Sequence, residues 1–139
     1  MGKINLGRVI LGGLLAGLII SISEYVLNTY VMAGDTSELL QRLGLAEIGT
    51  NQIIGFILLT FVLGIVMIWL YAAIRPRFGA GVKTAVIAAV VVWIFGLLSG
   101  LSDVIVGLIP AGTLVLPAVW GLVETIVAAV AGAWVYQEA

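Results

Sequence analysis

The sequence contains no cysteine and no histidine among its 139 residues. Without thiols there is no disulfide and no CxxC redox pair. Without imidazole there is no His-ligated haem, and a zinc or copper site is disfavoured. The commonest general base is missing, as is every Cys–His or Ser–His nucleophile arrangement. The expectation is therefore a protein that is not an enzyme, with no cofactor and no metal. Charge is almost as scarce. Six basic and seven acidic residues give a net charge of −1, and six bases placed mostly at segment ends form no patch fit for a nucleic acid.

What the sequence does have is apolar surface. Hydrophobic residues make up 63% of the chain, and the mean hydropathy is +1.27. A soluble domain of this size needs more polar surface than that, so the solvent for its outside is expected to be lipid. The apolar run from Val9 to about Tyr30 is too long for the core of a signal peptide and reads as a retained helix.

Four segments are long enough to cross a bilayer, at about 6–32, 51–74, 82–107 and 114–136. Gly34-Asp35, Arg75-Pro76-Arg77 and Ile109-Pro110-Ala111-Gly112 mark the breaks. With no water at depth, such segments must be helical. The fold expected is an all-α, single-domain bundle of four transmembrane helices. Lys3, Arg8, Arg75, Arg77 and Lys83 fall on one side and Arg42 alone on the other, which predicts both termini in the cytoplasm of a bacterial inner (plasma) membrane. Trp69, Tyr71, Trp134 and Tyr136 would form the inner aromatic belt. The basic loop 75–83, with Arg75, Arg77 and Lys83, is suited to anionic lipid headgroups. On the outer side, Asp35-Thr36-Ser37-Glu38 has capping-box spacing, and Leu39, Leu40 and Leu43 share a face before Gly44. These predict a short amphipathic interfacial helix over 35–44.

The first span also holds an acid. GLIISISE, residues 17–24, aligns without gaps with GLLSGLSD, residues 96–103, so that Glu24 matches Asp103. Trp69-Leu70-Tyr71 matches Trp134-Val135-Tyr136 in the same way. A duplicated helical hairpin would explain both, with the interfacial helix inserted in the first copy only. Gly13, Gly17, Ser21, Glu24 and Asn28 form one stripe on span one. Gly96, Gly100, Asp103 and Gly107 repeat it on span three, and Pro117, Gly121, Glu124 and Ala128 on span four. The glycines Gly13, Gly17, Gly96, Gly100 and Gly121 are thus expected at helix crossings, with the acids facing inward.

At a rise of 1.5 Å per residue, Glu24 lies roughly 24 Å above Arg8, and Glu124 about 15 Å below Leu114. Asp103 falls near the outer boundary. No base reaches these depths, so the acids are expected to hold protons, share water or bind a cation. Glu24, Asp103 and Glu124, with Asn28, Ser21, Ser99 and Thr125, define a candidate proton or ligand seam in the outer half. Two functions fit such a seam. One is a packing or binding role, as an accessory subunit of a larger membrane complex or a homo-oligomer holding a lipid-like or hydrophobic ligand. The other is a small proton-coupled transporter or channel using Glu24 and Glu124. The near absence of other chemistry favours the first.

The stretch WLYAAIRPRFGAGVKTA (69–85), with four spans and the opening GGLLAG (12–17), resembles small uncharacterised bacterial four-helix membrane proteins. That resemblance implies the fold and no activity. A looser analogy links Glu24 to the first-helix glutamate of small multidrug-resistance transporters, although Glu24 sits further out and no aromatic-rich pocket is evident in the sequence.

Overall fold

The computed structural model describes residues 3–138, and among these every regular element is a helix. Helix α1 runs Leu6–Val26 and continues through one π-helical turn, Leu27–Val31. It is followed by α2 (Ala33–Arg42), α3 (Thr50–Phe78), α4 (Val82–Ile105) and α5 (Ala111–Val135). Four of these, α1 with its π turn, α3, α4 and α5, are long and apolar enough to cross a membrane. The chain is a multi-pass membrane bundle of four helices, with α2 as a short fifth helix at one end. That end is called the α2 end below, and the end carrying Arg8, Arg75 and Lys83 the basic end.

The four long helices form a ring in which α1 packs on α3 and α5, and α4 packs on α5 and α3. The α1–α3 contact is the most extensive, and its closeness is set by glycine. A Cβ on Gly64 would run into the carbonyl of Gly13 and the backbone of Gly17. On its other side α1 meets α5 the same way. A Cβ on Gly132 would fall 2.7 Å from the carbonyl oxygen of Gly12, so two backbones touch there directly. Without a hydrophobic drive between helices in lipid, this van der Waals contact of backbones is what holds them together.

The core that results is built largely of alanine and lies towards the basic end. Ala16, Ala85, Ala88, Ala89, Ala128 and Ala129 are fully buried with Met67 and Ile68. Tyr71 and Tyr136 are also buried, their rings edge to face at 5.8 Å, while Trp69 and Trp134 point outward. Each Trp-x-Tyr stretch thus turns its Trp outward and its Tyr inward. Towards the α2 end the packing loosens. The buried residues of α4 stop at Ala89, and those of α5 begin only at Glu124.

Four boundaries differ from those the sequence predicts, each for a local reason. Helix α3 continues through Pro76 to Phe78, losing one backbone hydrogen bond, and the amide of Gly79 closes it on the carbonyl of Arg75 at 2.8 Å. Helix α4 stops at Ile105. Gly107, expected on a packing stripe, instead takes a positive φ of 78°, and Leu108 and Gly107 donate to the carbonyls of Asp103 and Val104, a Schellman stop. Helix α5 starts at Ala111 behind Pro110 as its N-cap, one turn earlier than predicted. Helix α2 starts at Ala33, with Met32 at the N-cap, so Asp35 lies inside the first turn and forms no capping box. There its charge still favours the positive end of the helix. Gly44 ends α2 as expected, with Leu45 donating to Leu40 and Gly44 to Gln41.

Candidate functional site

The acids of α1 and α5 meet because of how side chains leave a helix. Each Cα–Cβ bond tilts towards its own helix N-terminus. Helices α1 and α5 run in opposite directions, so Glu24 leans towards the basic end and Glu124 towards the α2 end. Their carboxyls converge between the two backbones, and Glu124 stands beside Glu24, Ser23 and Trp120. Glu124 lies 11 residues from the end of α5 at Val135, or roughly 17 Å along the axis, which is near the middle of a 30 Å hydrocarbon layer.

Each neighbour is positioned by its own bond. The indole Nε1 of Trp120 donates to Ser23 Oγ at 2.9 Å, tying α5 to α1. The amide of Asn28 donates to Glu24 Oε2 at 2.8 Å and to the Glu24 carbonyl at 2.9 Å. Asn28 is part of the π-helical turn. Such turns arise where one residue is inserted in the helical ladder, often at functional sites. Glu124 itself is only 8% exposed, and its Oε2 has no hydrogen-bond partner. A buried carboxyl oxygen left this way is costly.

Above this floor α1 and α5 part into a groove of about 570 Å³, lined by Ile19, Ile22, Ser23, Leu116, Val119, Trp120, Val123, Glu124 and Val127. Its walls are aliphatic apart from Trp120, and Glu124 is its one ionisable group.

The other residues expected in the seam lie elsewhere. The stripe on α1 divides at Ser21. Gly13, Gly17 and Ser21 face α3, where the Ser21 hydroxyl bonds that of Thr60, whereas Glu24, bonded by Asn28, stands beside Glu124 without lining the groove. Asp103 is half-buried near the end of α4 and is not among the groups around Glu124. Ser99 is exposed on α4. Thr125 is buried but turns back on its own helix, donating to the Gly121 carbonyl at 2.7 Å. Gly100 faces the Leu114 side chain, Gly121 lies in ordinary contact range of Trp93, and Gly96 has open space beside it. Trp120 and Ser23 complete the site. Trp120 is one helical turn before Glu124 on the same face, a spacing that marks it as a neighbour once the acid is chosen.

At the basic end, Arg77 and Lys83 are exposed, but Arg75 is not free to meet a headgroup. Its guanidinium lies 5.5 Å over the Tyr136 ring and 3.5 Å from Glu138. Tyr136 in turn accepts from the Asn5 amide, and Tyr71 from the amide of Gly81. This cluster ties the segment after α5 to α3 and to the approach to α1.

No family model matches the chain, no curated protein is significantly similar to it, and no solved structure is either.

Proposed function

We propose that this chain is a non-catalytic bacterial inner-membrane protein that binds a hydrophobic or lipid-like molecule in the groove between α1 and α5. With both termini in the cytoplasm, as the distribution of basic residues implies, the groove lies in the outer half of the bundle. One observation carries the reading. A groove of about 570 Å³ with largely aliphatic walls has the buried acid Glu124 in its lining, and one oxygen of that acid has no hydrogen-bond partner. Ligand sites combine these two features, a mostly apolar cavity and a few polar groups that fix orientation. Native mass spectrometry of the protein released from membranes tests it. A bound small molecule should leave with the wild type and be lost when Val119→Trp fills the groove. A wild type with no adduct, or one that Val119→Trp retains in full, contradicts the reading.

The meeting of Glu24 and Glu124 also supports a second reading, proton-coupled transport. Replacing each acid by its amide separates the two. An amide keeps hydrogen-bonding capacity but carries no proton load, so Glu124→Gln and Glu24→Gln should abolish any proton-driven flux in proteoliposomes while the fold persists. No flux in the wild type at any pH leaves the binding role alone.

A further inference from the structure

We infer that the occupant of the groove is a phospholipid from the leaflet on the α2 side, its phosphoethanolamine headgroup held between α2 and α5. The inference rests on the groove being a ligand site and adds the class of ligand. Two cavities adjoin on α5. Leu116 lines the groove, and its neighbour Pro117 lines a second cavity of about 230 Å³. That cavity lies between one face of α2, with Asp35, Glu38 and Arg42, and the start of α5, with Pro110, Leu114 and Pro117. Positions 35, 38 and 42 share a helix face, so the charged stripe of α2 turns towards α5 there. Glu38 and Arg42 stand one turn apart, a spacing that favours an ion pair. Yet the one ion pair among the described residues is Arg75–Glu138, at the basic end. All three charged side chains around the cavity are exposed and open to a headgroup.

Depth selects a lipid. Thr113, in the charged cavity, and Glu124, in the groove, are separated by roughly 16 Å of α5 at its helical rise. One leaflet supplies about half of a 30 Å hydrocarbon layer. A lipid with its headgroup beside α2 therefore lays its chain along Ile22, Leu116, Val119 and Val123 and ends it near Glu124. The groove matches a plain hydrocarbon chain, since its walls are aliphatic and its indole N–H is already used by Ser23. Charge selects the headgroup. Arg42 offers a phosphate its planar fork of donors, and Asp35 and Glu38 accept from an ammonium. A phosphoglycerol headgroup or a fatty acid brings only negative charge, which answers one arginine and is repelled by two carboxylates. Phosphocholine balances the charges but has no N–H for Asp35 or Glu38. Phosphoethanolamine supplies both the anion and three N–H donors.

The test places the full chain in nanodiscs holding equal amounts of phosphatidylethanolamine, phosphatidylglycerol and phosphatidylcholine of one chain length. Native mass spectrometry of the released protein reads which lipid it keeps. One exposed ion pair predicts phosphatidylethanolamine retained about threefold over either competitor. The double variant Asp35→Asn with Glu38→Gln should erase that preference, and Arg42→Gln should lower retention of all three. Val119→Trp should expel lipid whatever its headgroup. Equal retention of the three lipids by the wild type, or a preference for phosphatidylglycerol, overturns the headgroup assignment and leaves the groove as a ligand site. So does retention indifferent to Asp35, Glu38 and Arg42. Retention that Val119→Trp leaves in full overturns both. No retained lipid overturns the inference, and if protein taken from native membranes carries no adduct either, the groove reading falls with it.

Discussion

Replacing Gly64 by alanine adds one methyl group where α1 and α3 touch, and should be among the most damaging single changes in the chain. An ideal Cβ at that position lies 2.9 Å from the Cα of Gly17 and closer still to the Gly17 amide nitrogen. Carbon atoms prefer 3.5–4.0 Å, so the helices must separate by roughly 1 Å, and a gap of that size forfeits up to about half of each dispersion well. The obstacle is backbone, so no rotamer change relieves it. Overpacking of this kind costs about 1–3 kcal/mol. The α1–α3 contact is the largest in the molecule, which places Gly64→Ala at the upper end. The gain in helix propensity, up to about 1 kcal/mol, offsets part of it, leaving a net loss of about 2 kcal/mol. The control is Gly96→Ala. A Cβ there meets nothing within 4 Å, so the propensity gain stands alone and stability should hold or rise. Thermal unfolding in detergent, followed by circular dichroism, measures both. Gly64→Ala as stable as wild type, or Gly96→Ala as damaging, would refute the close crossing.

Further outcomes follow from single contacts. Ser21→Ala removes the hydroxyl pair with Thr60 and should lower stability by about 0.6 kcal/mol, the mean for such bonds between membrane helices; Ser99→Ala, on an exposed position, should change nothing in the same unfolding assay. Trp120→Phe frees Ser23 from its donor and should weaken the α1–α5 seam by about 1 kcal/mol, seen as faster amide exchange in Ile19–Glu24. Gly107→Ala forces a side chain into a positive φ of 78° and should cost about 1–2 kcal/mol, with fraying of the last turn of α4. Arg75→Gln should speed proteolysis near Glu138 while Arg77→Gln leaves it unchanged, since only Arg75 packs on Tyr136 and Glu138.

The spans were legible because long apolar runs interrupted by Gly, Pro and charge have few solutions in lipid. The acids at depth were legible for the same reason, as each departs from its surroundings. What one stripe could not reveal is which neighbour it meets. Helix α1 has two crossings, and Gly12 and Gly13 are adjacent in sequence yet about 100° apart around the axis, one against α5 and the other against α3. A repeat of glycine and acid along one line therefore concealed two faces. Gly96 carries the same pattern as Gly17 but lies where α4 has no close partner, so composition alone overstates its role. The start of α2 was misplaced because the π-helical turn carries α1 to Val31 and leaves only Met32 as a link. Asp35 then falls too late to cap. Arg75 reads as a headgroup contact until Tyr136 and Glu138, sixty residues away in sequence, are brought beneath it.

The measurement that most directly tests the groove as a ligand site compares two positions equally open to the surroundings. Val119, on the groove wall, is 59% exposed, and Leu58, on the outer face of α3, is 61% exposed. Bulk lipid would therefore reach both alike. With the photo-reactive residue p-benzoylphenylalanine at one position or the other, irradiation in native membranes should give a discrete adduct mass at 119 that is absent at 58. The same spread of lipid adducts at both positions would contradict a ligand site between α1 and α5.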